Sequence, residues 1–210
     1  MTTSSISADS IVDAARASIR REALAVEGLS NQIDGSFAQL AQDILNLNGK
    51  VITTGTGTSG IMAERLAHLL AVSGTPAFYL PCLDALHGGM GAITEGDMVV
   101  AISKGGQSSE LIELVTRLGE RGIPVVAVTE NPASPFAKAA HLVAAVKTEP
   151  VDADPGGLIA MGSTLVAGAW GDALATVLMA LRGHTWEEVI HIHPGGIVGQ
   201  QTELPPDVEL

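Results

Sequence analysis

From Lys50 onward the chain alternates short, almost unbroken apolar runs with stretches in which apolar residues recur every three or four positions. The apolar runs are Val51–Thr54, Ala77–Leu80, Met98–Ile102, Val125–Val128 and Leu142–Val146. A strand that is apolar at nearly every position is buried on both faces, so these five runs predict a parallel sheet sandwiched between helices. Helical spacing predicts helices over about Ile61–Ser73, Ser109–Arg121 and Ser163–Leu181. Ahead of the alternation, Ile11, Ala15, Ile19, Ala23 and Val26 predict a helix from residue 7 to about 28, with Asp9 or Ser10 as its cap and Gly28 as its stop. Phe37, Leu40, Ile44 and Leu47 predict a second helix from about Ser36 to Leu47. The expected fold class is α/β, a three-layer sandwich with N-terminal helices. Residues 1–37 read as a helical arm, 38–200 as one domain, and 201–210, with Pro205, Pro206 and three acids, as a tail.

Composition narrows the function. Apolar residues make up 46% and charged residues 16%, which is the balance of a globular chain. A net charge of −12 argues against nucleic acid or an anionic membrane as partner, because both require a basic footprint. It leaves room for a small phosphorylated ligand, whose site is built locally from backbone N–H groups and hydroxyls. The single cysteine, Cys82, forms no intrachain disulfide and fits a reducing compartment. Residues 1–10 lack a signal-peptide pattern, and apolar runs such as 97–102 are too short to span a bilayer, so the expectation is a soluble cytoplasmic protein. His191 and His193 flank one residue without an evident third ligand, so no metal is expected.

In an open parallel sheet ligands bind at the carboxyl ends of strands. Two loops at such ends have the right composition. "GTGTSG", Gly55 to Gly60, offers close backbone approach, the hydroxyls of Thr56, Thr58 and Ser59, and the dipole of a following helix. It lacks the Walker A lysine. It meets the bare G-x-G-x-x-G spacing without an acid at the end of the next strand, which ends in Leu80-Pro81-Cys82-Leu83. "SKGGQSSEL", Ser103 to Leu111, repeats the device with Ser103, Ser108 and Ser109 as donors, Lys104 as a point charge and Glu110 in the first helical turn. A paired cradle of this kind suits a phosphorylated small molecule better than a dinucleotide. Histidines in glycine-bounded turns, His87 in "LHGGMGAI" and His193 in "HIHPGGIVGQ", add groups that exchange protons near neutral pH.

These segments together resemble a sugar isomerase (SIS) domain over about residues 38–200, and within that family the arabinose-5-phosphate isomerase group. "GTGTSG" is similar to the family's G-x-G-K-S-G, "LHGGMGAI" to its A-x-H-G-D-L-G-M and "ISKGGQSSEL" to its I-S-x-S-G-x-x-x-E-L. "ASPFAKAAHLV", "GSTLVAGAWGDALATVLM" and "HPGGIVG" follow in the family's order. The resemblance implies a SIS-type, flavodoxin-like sheet and a homotetrameric aldose–ketose isomerase of a phosphosugar. It needs no cofactor or metal, and its sites lie near subunit interfaces. Many members carry CBS domains after the SIS domain; a chain of 210 residues would be a SIS-only form.

The residues the resemblance carries over are Glu110 and His193 for proton transfer, His87 near the sugar, and Gly57, Thr58, Ser59, Ser103, Lys104, Ser108 and Ser109 around the phosphate. A further acid precedes the Ser163-Thr164 segment: Asp152 if counted without a gap, Glu149 if three residues are inserted. Thr58 stands where the group has a lysine, Gly105 where it has a serine and Gly89 where it has an aspartate. The implied chemistry moves a proton between C1 and C2 through a cis-enediol. The alternative is a non-catalytic SIS module that senses a sugar phosphate.

Overall fold

The computed structural model describes residues 6–208 and 210; the first five residues of the predicted arm, and Glu209 of the predicted tail, lie outside it. Five strands form one sheet: β1 (Val51–Gly55), β2 (Ala77–Tyr79), β3 (Met98–Ile102), β4 (Val125–Thr129) and β5 (Leu142–Ala145). All pairings are parallel, in the order β2-β1-β3-β4-β5. This is the flavodoxin-like order, in which successive connections leave β1 and β3 toward opposite faces. The central strands β1, β3 and β4 are buried at every residue, as their unbroken apolar sequences require, whereas the edge strands β2 and β5 are partly exposed.

Among the described residues, eight α-helices complete the layers. On one face lie α1 (Ala8–Leu29), α2 (Gly35–Leu45), α3 (Gly57–Val72) and α7 (Gly162–Arg182). They enclose a core of Leu40, Ile44, Val100, Leu70, Trp170, Leu174 and Leu178. On the other face lie α4 (Cys82–Leu86), α5 (Ser109–Glu120) and α6 (Pro135–Ala139), over Ile52, Val99, Leu111, Leu114 and Phe136. α8 (Trp186–His191) follows α7. By length and composition α7 would cross a bilayer, yet it packs as a core helix with Trp170, Leu174 and Leu178 buried.

The helix starts differ from the sequence expectation in instructive ways. Ser7, rather than Asp9 or Ser10, caps α1 by accepting the Ser10 amide, and the helix runs through Gly28 to Leu29. α3 begins at Gly57, not Ile61, so four of the six residues of "GTGTSG" are already helix. Glycine and threonine are poor helix formers, and a periodicity reading starts too late when they fill a first turn. The short α4, α6 and α8 carry too few turns to show a period.

The amino end of the sheet is closed by polar ties. Lys50 and Thr94 converge on buried Asp97. Arg182, at the far end of α7, donates to the Thr75 hydroxyl and the Ile44 carbonyl oxygen. Ser163, at the near end of α7, sits instead at the carboxyl edge of the sheet. With 21 residues at about 1.5 Å each, α7 spans roughly 30 Å between these ends.

Candidate active site

The loops that follow β1 and β3 flank the point where the strand order reverses. Thr56 and Ser108 are the residues before the first turns of α3 and α5, the usual positions for side-chain caps. Neither caps its helix. Their hydroxyls lie 3.3 Å apart, bridging the two loops across 52 residues of sequence. By contrast Ser7, Asp34, Ser134 and Thr185 all accept first-turn amides of their own helices. Two helix N-termini with unclaimed amides therefore meet in one crevice, an arrangement that favours an anion.

Loop geometry serves this convergence. Gly57 adopts a φ of 56°, the left-handed turn through which β1 enters α3. Gly106, at a φ of 64°, lies so close to Ser134 that an added Cβ would collide with it. The Ser103 hydroxyl oxygen accepts the Gly106 amide at 3.2 Å, which shapes the loop and leaves the hydroxyl proton to donate.

A small cleft opens beside these loops, lined by Thr58, Ser59, Lys104, Glu130, Ser163 and Thr164 among others. Lys104 forms an ion pair with Asp154, whose side chain is 1% exposed. The other Asp154 oxygen accepts the amides of Met161 at 2.8 Å and Ser163 at 2.9 Å, so this carboxylate also caps α7 from a distance. Burial pushes the Asp154 carboxyl up, but Lys104 and the two amides outweigh it and hold it at about 2. Glu130 accepts both the amide and the hydroxyl of Thr148. The Ser163 hydroxyl is buried without a partner among the described residues.

The expected residues fall into three places. Gly57, Thr58, Ser59, Ser103, Lys104, Ser108 and Ser109 gather at the two loops. Glu110, half-buried in the first turn of α5, takes a bond of 3.2 Å from the Ser109 hydroxyl and lies on the α4 side of the sheet. Burial, with the nearby Glu110 charge, raises the Cys82 thiol to about 11, which leaves it an inert packed group. His87 is exposed at the end of α4, in a segment tied down by Arg121 through the carbonyls of Met90 and Ile93. Asp152 is exposed, 3.8 Å from Arg21 of α1, and Glu149 is exposed too. His193 stands apart. Its Nδ1 donates to the Val189 carbonyl oxygen, beyond α8 and at the opposite end of α7 from the cleft. Within one chain it does not join the other residues.

Sequence reasoning missed Asp154 and Glu130. Asp154 lies two residues from the favoured Asp152 in "DADPGG", and nothing local distinguishes a buried aspartate from an exposed one.

Residues 44–177 match the SIS domain family, and the chain belongs to that family. It is similar to the arabinose 5-phosphate isomerase KdsD of Pseudomonas aeruginosa, with 38% identity over 92% of this chain and 59% of the relative. The KdsD of Escherichia coli K12 is 37% identical over 89% of this chain and 56% of its own length, so the chain spans little more than half of these curated relatives. Among solved structures, E. coli CFT073 c3406 in complex with a sugar phosphate superposes with a TM-score of 0.86 at 28% identity, covering 90% of this chain and all of that one. The Vibrio vulnificus NanR protein complexed with ManNAc-6P shares the fold, with a TM-score of 0.73 at 22% identity, over 90% of this chain and 70% of that one.

Proposed function

We propose that this chain is a phosphosugar aldose–ketose isomerase, similar in reaction to the arabinose 5-phosphate isomerases. The observation that carries the reading is the pair of helix N-termini that meet, uncapped, at the switch point of a SIS-family sheet. Their free amides, with the hydroxyls of Ser59, Ser103, Ser108 and Ser109, suit a phosphate that carries its sugar into the adjoining cleft.

The chemistry asked of the protein is modest. A base removes the proton from C2 of the open-chain aldose while an acid protonates the carbonyl oxygen. The resulting cis-enediol is reprotonated at C1 and loses its other hydroxyl proton to give the ketose. Glu110 is the proposed base, placed at a helix start beside the phosphate loops. His193 is the proposed oxygen-directed acid and base. The roughly 30 Å of α7 between it and the cleft means that it would serve the site of another copy, which joins the assignment to a homo-oligomer with sites at subunit interfaces. The exposed apolar residues of α1, Ile11, Val12, Ile19 and Leu24, beside a groove lined by Met62 and Leu165, give such an assembly a surface to bury. His87 and Asp152 complete the proposed set from the rim.

Incubation with pentose and hexose phosphates in deuterated water tests the reading through exchange at C2. Glu110→Gln is expected to lower the exchange rate about 100-fold or more. Near-full activity in that variant removes Glu110 from the mechanism, and binding without exchange in the unaltered chain overturns the isomerase reading.

A further inference from the structure

Lys104 was expected at the phosphate because it follows β3 in a phosphate-type loop. Its surroundings assign it elsewhere. One of its three ammonium donors is spent on Asp154, whose other oxygen is saturated by the Met161 and Ser163 amides. Asp154 is therefore largely occupied, and its effect is to fix the Lys104 ammonium at the wall of the cleft. Lys104 remains 32% exposed there, with donors to spare.

The neighbours in that wall decide what those donors meet. Glu130 lines the same cleft and Asp154 holds Lys104, so the formal charge of these three groups is −1. A phosphate dianion is repelled by such a wall and has neutral amides available at the α3 and α5 starts instead. A sugar hydroxyl or carbonyl is not repelled: it accepts from the ammonium, and a hydroxyl also donates to a carboxylate. The Ser163 hydroxyl, in a residue only 9% exposed, lines this cleft beside the Asp154 carboxylate, without a bond of ordinary geometry among the described residues, and an arriving oxygen offers it one.

We propose that Lys104, with Ser163 and Glu130, forms a subsite for the uncharged oxygens of the open-chain sugar rather than for its phosphate. Asp154 is then its positioning residue. The proposal rests on the phosphosugar reading but not on turnover.

Calorimetry on the full chain, with D-arabinose 5-phosphate and inorganic phosphate as separate probes, tests it. Lys104→Met is expected to weaken the sugar phosphate about 10- to 100-fold and to leave inorganic phosphate within about 2-fold. Asp154→Asn should move the same way by a smaller factor, with KM changing while inhibition by inorganic phosphate does not. The double variant Lys104→Met/Asp154→Asn is uncharged at both positions and keeps acceptors for the Met161 and Ser163 amides, so it separates lost recognition from failed folding. Equal losses on both probes would make Lys104 a phosphate ligand, and no loss on either would make the pair structural; both overturn the proposal. So does an unaltered chain that binds the sugar phosphate no more tightly than phosphate. An unaltered chain that binds the sugar phosphate without isomerising it removes the isomerase reading and leaves this one standing.

Discussion

Two lysine–aspartate pairs sit at opposite ends of the sheet and are nearly matched in burial. Lys50 and Asp97 are 37% and 1% exposed; Lys104 and Asp154 are 32% and 1%. At the amino end the pair is closed. Lys50 Nζ reaches both Asp97 oxygens, at 3.0 and 3.1 Å, and the Lys50 amide and the Thr94 amide and hydroxyl take the remaining acceptor directions. At the carboxyl end Lys104 touches one oxygen only and faces a cleft with an unpartnered serine. A buried ion pair by itself says little about function or stability, because desolvation offsets much of its attraction. What separates the two pairs is where the lysine's remaining donors point.

That contrast is open to attack from both sides. The largest expected effect is on Asp97→Ala, which strands the Lys50 and Thr94 donors and should cost about 3 kcal/mol in urea unfolding. Per folded molecule, binding of a sugar phosphate should be untouched. A weakened sugar phosphate in that variant would erase the distinction between the pairs.

Asp154 comes next, through pH. Its folded value of about 2 lies below the ordinary 3.8. A depressed carboxylate contributes stability that is fully present above the unfolded value and is lost as pH falls through the folded one. The window is therefore about pH 4 down to about pH 2, and the contribution at neutral pH is about 2 kcal/mol. Asp154→Asn should lose that amount at pH 7 and show a flatter acid limb in thermal melts. An acid limb as steep as that of the unaltered chain would mean that Asp154 is not held ionised by its partners. Asp97 also titrates low: burial raises it, and the Thr94 and Lys50 amides with the Lys50 ammonium prevail. The acid limb of the double variant Asp97→Asn/Asp154→Asn should be flatter still.

The smallest effect tests the distance between the ends. Thr185 and Glu188 form a capping box at the start of α8, the helix that leads to His193. Thr185→Ala should cost about 1 kcal/mol locally, read as faster amide exchange across 185–193. Affinity for inorganic phosphate should not change, since the loops after β1 and β3 proposed to hold it lie at the other end of the sheet. A parallel loss of phosphate affinity would place α8 against the cleft in the assembled protein.

Much of this was legible along the chain. The apolar runs Val51–Thr54 and Met98–Ile102 declare buried parallel strands, and the glycine and hydroxyl residues after each declare loops that open into helices. Those are local properties, set by side-chain period and backbone freedom within a few residues. The reversal of strand order at β1 and β3 is not local, nor is the meeting of Thr56 with Ser108 across 52 residues or of Lys104 with Asp154 across 50. Each depends on which faces the connecting helices bury. Sequence alone therefore determined an α/β chain with paired glycine- and hydroxyl-rich loops at its strand ends. Only the tertiary structure decided that Asp154 rather than Asp152 turns inward, that Lys104 pairs with it at the wall of a cleft, and that His193 lies a helix length away. Burial and long-range pairing are decided by packing, and packing has no period to read.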